Sequence, residues 1–239
     1  MTNPKIQRKD VISDEEFKWM LERVEEADYP FEYYRMRDKA ILCILRRTGK
    51  RRREVASLEI SDLAVKGRYL SITFTVRKKR RKNILSLQRE KLLSLKDPLV
   101  QPILEYWSWM KKNNPECRYL FPRTFYSPLT KTFTLDRNHH LSGRQILRIV
   151  KRANPRAWCH LFRETVGAEI VRKDPSIMAP FKVMRRLDLE SYTTAFNYMK
   201  RYAADIIEYE GKEDAVIDVL TVKERKQLAT QAPILPRNA

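Results

Sequence analysis

One stretch of this chain constrains the fold more than any other. Tyr69-Leu70-Ser71-Ile72-Thr73-Phe74-Thr75-Val76 alternates apolar and polar residues in the two-residue rhythm of a strand, and Asn83 to Leu87 adds a second short run. Between them lies RKKRRK, residues 77 to 82, so the economical reading is a β-hairpin with a strongly cationic turn. Elsewhere the apolar residues recur at helical spacing. Ser13 with Glu16 forms a capping box that opens a helix through about Glu26, with Phe17, Met20, Leu21 and Val24 inward. A second helix is expected from Glu32 to Arg47, closed by Thr48-Gly49, and a short third from Arg52 to Leu58. Further helices are predicted over Pro98 to Asn113, Leu141 to Arg152, Cys159 to Arg172, Pro180 to Leu189 and Thr193 to Tyr209, with residues 123 to 140 as a polar loop. The expected class is mainly α with a small antiparallel β-sheet.

Charge narrows the function. The 239 residues carry 49 Lys+Arg against 30 Asp+Glu, a formal charge of +19, while 43% hydrophobic residues suffice for a core. A surplus of this size points to a polyanion, either nucleic acid or an anionic membrane surface, and the arginine clusters favour nucleic acid. No apolar run approaches the ~18 residues of a spanning helix, and MTNPKIQRKD does not lead into the apolar region of a signal peptide. A cytoplasmic, DNA-associated protein is the expectation. Cys43, Cys117 and Cys159 stand far apart without a CxxC pair, so neither a disulfide framework nor a zinc ribbon is expected. His139-His140 lacks neighbouring thiolates or paired carboxylates and reads as loop rather than metal site.

Two arginine-centred segments remain: TGKRRREV at 48 to 55 and CHLFRET at 159 to 165. On a helix, His160 and Arg163 share a face and can address one anion. A phosphodiester under attack gains charge on its non-bridging oxygens, which planar guanidiniums such as Arg51 and Arg163 can stabilise. A tyrosine nucleophile, with a free pKa near ~10, needs help to lose its proton, and His160 is suitably placed to assist. The departing 5′ oxygen needs a proton, which a lysine on the hairpin can supply.

Taken together these segments resemble the tyrosine recombinase (phage integrase) family in motif order and spacing. RDKAILCILRRTGKRRREVASLEISDL, residues 37 to 63, is similar to the stretch ending in T-G-x-R-x-x-E, which puts the first catalytic arginine at Arg51 and its accompanying acid at Glu54. The cationic hairpin resembles the family's lysine-bearing β-turn. Counting back from Leu87 gives Lys78, with Lys79 or Lys82 if the turn differs by a residue. LSGRQILRIVKRAN resembles the helix before the second box, His160-Leu161-Phe162-Arg163 matches H-x-x-R, and LDLESYTTAFNY aligns with L-G-H-x-x-x-x-T-x-x-x-Y, placing the nucleophile at Tyr198 ahead of Tyr192 and Tyr202. Three departures stand out: Asp188 occupies the glycine position, Leu189 that of the usual His or Trp, and Glu164 that of the histidine commonly following the second arginine. The MRRLDLESYTT wording looks more like archaeal integrases than Xer-type enzymes.

The resemblance implies a recombinase that cleaves and rejoins DNA through a 3′-phosphotyrosyl intermediate, without metal, ATP or other cofactor. Double-stranded DNA is the implied partner, contacted by Arg52, Arg53, Lys79, Arg80, Arg81, Lys82, Arg144 and Arg148, and the working assembly is a homo-tetramer on two duplexes. Type IB topoisomerase-like relaxation and a catalytically degenerate DNA-binding regulator are the alternatives. The implied organisation is a disordered terminus over residues 1 to 11, a catalytic domain over 12 to 210 without the usual N-terminal core-binding domain, and a C-terminal segment over 211 to 239. Within that segment Asp214 to Leu228 is the candidate for exchange between neighbours, or else a lid on its own domain.

Overall fold

The computed structural model describes residues 11–80, 83–127, 129–130 and 132–203, with side chains left out at 77–80, 83–86 and 133. Among the described residues, eight α-helices and five strands run in the order α1 (Asp14–Glu26), α2 (Glu32–Thr48), α3 (Arg52–Ala56), β1 (Leu63–Lys66), β2 (Tyr69–Arg80), β3 (Asn83–Ser94), α4 (Gln101–Asn113), β4 (Pro122–Ser127), β5 (Thr132–His140), α5 (Gly143–Ala153), α6 (Cys159–Lys173), α7 (Ala179–Leu187) and α8 (Tyr192–Tyr202). The capping signals work as their chemistry dictates. Ser13 Oγ accepts the Glu16 N–H at 3.1 Å, and Ser142 and Gln145 form a reciprocal box that starts α5. Gly49 ends α2 in the left-handed region at φ 61°, its N–H donating to the Leu45 carbonyl at 3.0 Å.

Strand content exceeds the expectation in three places. β1 pairs antiparallel with β2, giving a three-stranded sheet in the order β1-β2-β3. The β2–β3 ladder continues through Lys78↔Leu85 to Arg80↔Asn83, so most of the cationic run lies in paired strand rather than in a turn. Residues 123 to 140, expected as a loop, form most of the antiparallel hairpin β4–β5. That hairpin leaves Phe125 and Tyr126 about half exposed, so it has no buried face to write an apolar alternation into the sequence. Lesser differences concern boundaries. A 3-10 turn at Pro98–Val100 precedes α4, α7 stops at Leu187, and α8 is described only to Tyr202. Val11, assigned to the terminal tail from sequence, packs against the core, and Ile12 is buried with its N–H on Thr165 Oγ1 at 2.8 Å. Residues 1 to 10, 81, 82 and the segment from Asp214 to Leu228 lie outside the described residues.

The core sits around α2, whose Ala40 to Leu45 are wholly buried. Side chains from α1, α4, α5, the sheet and the first turn of α6 close on it, ending at Phe162. Arg46 is almost fully buried and ties three helices together through Asp14 of α1 and Glu169 of α6. A second apolar cluster begins at Val166 and gathers the later half of α6 with α7 and α8, including Tyr198. Among the described residues it holds ten buried members against thirty-four in the first. Fewer buried apolar contacts mean cheaper local opening. Backbone amides of α8 are therefore expected to exchange with solvent roughly tenfold or more faster than those of Ala40 to Leu45. Equal protection in native-state hydrogen exchange would make the two clusters one cooperative unit.

Candidate active site

An open groove of about 1240 Å³ runs between α3, the start of α5, the start of α6 and the α7–α8 connection. Its lining includes Lys50, Arg51, Arg52, Arg53, His140, His160, Arg163 and Asp188. The segments that supply these groups are far apart in sequence but each has a local reason for its position. Gly49 turns the chain sharply after α2, delivering Arg51 as the residue that precedes α3. A Cβ at Gly49 would stand 2.7 Å from Leu187 Cδ2, so the bend also lets α2 and α7 approach closely.

Arg51 is half exposed, and its Nη1 donates to Glu54 Oε1 at 3.0 Å while its backbone N–H donates to Glu54 Oε2 at 2.9 Å. One carboxylate thus fixes both the start of α3 and the reach of the guanidinium. Arg163 is buried, at 3% exposure. Its Nη1 donates to the Gly49 carbonyl at 2.9 Å and its Nη2 to the Leu187 carbonyl, so one guanidinium bridges the α2 turn and the end of α7. Burial, then the like charge of Arg51, lower its pKa from the ordinary arginine value. The two guanidiniums therefore share one electrostatic environment, open on the groove side.

His160 is exposed in the groove, with Nε2 3.1 Å from Glu164 Oε1, one turn further along α6. Tyr198 is buried, at 7% exposure, and does not line the groove. Its hydroxyl donates to Glu164 Oε1 at 3.3 Å, while Tyr202 donates to Oε2 at 3.3 Å and Arg201 Nη1 is paired with the same oxygen at 3.3 Å. Burial pushes the Tyr198 phenol up to about 12, and the Glu164 charge adds to the shift. Burial acts to raise Glu164 as well, but His160 and Arg201 outweigh it and hold the carboxyl below its usual value. The ring of Tyr198 lies against Gly167 so closely that a Cβ there would stand 2.3 Å from ring carbons Cδ1 and Cε1.

Arg52 and Arg53 line the groove, and Arg52 packs along Gly143 at the start of α5. Arg144 and Arg148 are exposed on α5, outside the lining. The backbone sets Lys78 opposite Leu85 in the β2–β3 ladder, and Lys79 and Arg80 follow it in the same strand. Arg81 and Lys82 fall outside the described residues. Among the described residues, no group of three His, Cys, Asp or Glu side chains is arranged to hold a metal ion. His139 pairs with Asp136 at 2.9 Å on the edge hairpin.

A network that the sequence does not reveal lies in the wall of the groove. Asp188 follows α7 in the left-handed region, at φ 50°. Its carboxylate receives Lys50 Nζ at 2.5 Å and Lys91 Nζ at 3.1 Å, and Lys91 also donates to the Arg185 carbonyl at 3.1 Å. Lys50, itself buried, lies 4.7 Å over the Phe74 ring. Burial acts to raise Asp188, but the two ammoniums bring it below the usual carboxylate value. Lys91 is lowered by its own burial despite that partner. The one signal was an aspartate where the resemblance expects glycine; the lysines, 138 and 97 positions away, gave none.

Similarity to known proteins agrees with this geometry. Three solved structures share the fold at low identity. A XerH site-specific recombinase bound to palindromic difH substrate, in a post-cleavage complex, matches with a TM-score of 0.60 and 18% identity over 84% of this chain and 52% of that one. XerH in a pre-cleavage complex with difH matches with a TM-score of 0.55 and 18% identity, covering 87% of this chain and 55% of that one. XerA recombinase follows at 0.54 and 17%, covering 84% and 65%. The chain thus spans about half to two thirds of the length of these neighbours. No curated protein sequence matches it. The profile of the Phage integrase family, by contrast, matches residues 11–205. With that match running through both arginine segments and Tyr198, the chain belongs to the phage integrase, or tyrosine recombinase, family.

Proposed function

We propose that this protein is a site-specific DNA recombinase that breaks and rejoins strands through a phosphotyrosyl bond at Tyr198. The observation that carries the reading is the convergence of Arg51, His160 and Arg163 on one cationic groove, with Tyr198 directly behind it on Glu164. A duplex phosphate seated there meets two guanidiniums that stabilise the charge developed at phosphorus. Arg163, anchored to two carbonyls, needs no reorganisation to do so. Tyr198 attacks, the 3′ phosphate becomes joined to the phenol oxygen, and Lys78 gives the 5′ oxygen its proton. The bond energy is retained in the ester, so the chemistry calls for neither nucleotide nor metal.

Arg52, Arg53, the β2–β3 cations, Arg144 and Arg148 serve as phosphate contacts that set register on the duplex. XerH is bound to its difH substrate in both structures, which supports DNA as the partner here. Assembly as a homo-tetramer completes the proposal, as does action in the cytoplasm on an integrating, archaeal-type genetic element. No helix among the described residues is long and apolar enough to cross a membrane.

The test is capture of the covalent adduct. The protein and its Tyr198→Phe variant are incubated with fragmented genomic DNA and with nicked duplexes, then resolved on denaturing gels with peptide mapping. An adduct on Tyr198, abolished in the variant, is expected, and sequencing the trapped DNA yields the site. Recombinant or branched junctions separate recombination from simple relaxation of circles. DNA binding without any adduct would sink the enzymatic reading in favour of a binding protein.

A further inference from the structure

We propose that Glu164 is the proton acceptor for the nucleophile: its Oε1 takes the phenol proton of Tyr198 as the phenol oxygen bonds to phosphorus. The assignment rests on the recombinase reading above and deepens it.

Geometry carries the assignment. Among the described residues, the polar group in contact with the Tyr198 hydroxyl is Glu164 Oε1, at 3.3 Å. The same oxygen lies 3.1 Å from His160 Nε2, whose ring stands in the groove, so the carboxylate spans the nucleophile and the phosphate site. Its other oxygen is occupied by Tyr202 and Arg201, which leaves Oε1 facing the phenol. His160 and Arg201 keep the carboxyl ionised, hence able to receive a proton, in spite of its burial.

Energetics point the same way. With the phenol held near 12, only about one molecule in 10⁵ would carry a phenolate at neutral pH. Attack by a pre-formed phenolate is therefore a poor route, and the proton has to leave as the bond to phosphorus forms. In cleavage the Oη–P bond forms, the P–O5′ bond breaks, the phenol proton moves to Glu164 Oε1, and the 5′ oxygen is protonated by Lys78. In rejoining, the 5′ hydroxyl attacks and gives its proton back to Lys78, the phenol oxygen leaves, and Glu164 returns the proton to it. No net proton is consumed, and no further reactant is needed.

The experiment measures adduct formation on a nicked duplex carrying the trapped site, made with oxygen or with sulfur at the 5′ bridging position. A thiolate leaves without a proton because its conjugate acid has a pKa near ~8.5. Glu164→Gln, which keeps the shape and a hydrogen-bonding oxygen, is expected to slow the adduct about 10²-fold on both substrates. Lys78→Ala, defective on the leaving side, is expected to recover on sulfur. On that substrate the parent rate should stay flat from about pH 6 to 9, while that of Glu164→Gln should climb roughly tenfold per unit, because the phenol then loses its proton to solvent first. Glu164→Asp should regain part of the rate and the flat profile. It also serves as the reporter if the glutamine variant folds poorly by thermal melting.

A glutamine variant within about twofold of the parent, or a slow one with the parent's flat profile, overturns the proton-transfer role. A parent that forms no adduct at all fails the recombinase reading itself, which is a separate result.

Discussion

Replacing Asp188 with alanine is expected to destabilise the folded protein by about 3–5 kcal/mol, the cost of leaving buried charge without its partner. Lys50 and Lys91 both end on this one carboxylate, at 2.5 and 3.1 Å, and neither has more than a tenth of its side chain exposed. Lys91 is already lowered by burial, with the like charges of Lys50 and Arg186 adding to it and Asp188 opposing. Asp188→Gly separates charge from backbone strain. Glycine relieves the left-handed conformation at φ 50°, so that variant should lie about 1 kcal/mol above the alanine variant yet well below the parent.

The pH dependence follows from the depressed carboxyl. Its contribution is fully present above the unfolded value of ~3.9 and is lost as pH falls through the lower folded value. The gap between parent and alanine variant should therefore close in acid. Urea unfolding at neutral pH and near pH 3 measures both. A neutral-pH loss under ~1 kcal/mol would mean that the lysines find water instead.

The second large effect belongs to Arg163. Its alanine variant is expected to form the DNA adduct about 10²–10³-fold more slowly, as for the loss of a preorganised donor to a developing oxyanion. It should also lose stability, since the Gly49 and Leu187 carbonyls each forfeit a buried donor at about 1–3 kcal/mol. Lysine is not expected to rescue either property, because one ammonium cannot replicate a planar fork that holds two carbonyls and still faces the groove. Single-turnover adduct rates and unfolding midpoints would be compared for the two variants. A lysine variant within tenfold of the parent would refute the bidentate account.

What the sequence revealed of this arrangement was governed by range. Helices α1, α2 and α5 are legible because caps are local, at Ser13, Thr48-Gly49 and Ser142, whereas α6 has no side-chain cap and is buried on several sides. The β4–β5 hairpin escaped notice because it buries little, and β3 was cut short because Gln88 to Glu90 face solvent. Arg51, His160 and Arg163 were legible through motif spacing and do converge on the groove. In the sequence Glu164 stands out only as a departure from the motif, since its contacts with Tyr198, Arg201 and Tyr202 span more than thirty residues. The Lys50–Asp188–Lys91 network is longer-ranged still, and only Asp188 at the glycine position hints at it.

Gly167 links a helix to the history the sequence can have. Glycine inside a helix costs about 0.5–1 kcal/mol relative to alanine, and α6 tolerates that cost at its middle, where the Tyr198 ring occupies the space of a side chain. The two positions are therefore sterically coupled. While the phenol is needed, drift at position 167 is blocked in the direction that helix stability favours. On the proposed recombinase reading, loss of strand cleavage would lift the constraint and leave position 167 free to gain alanine once the tyrosine had shrunk or moved. On that reading, glycine at 167 beside tyrosine at 198 is the pair that seats the nucleophile.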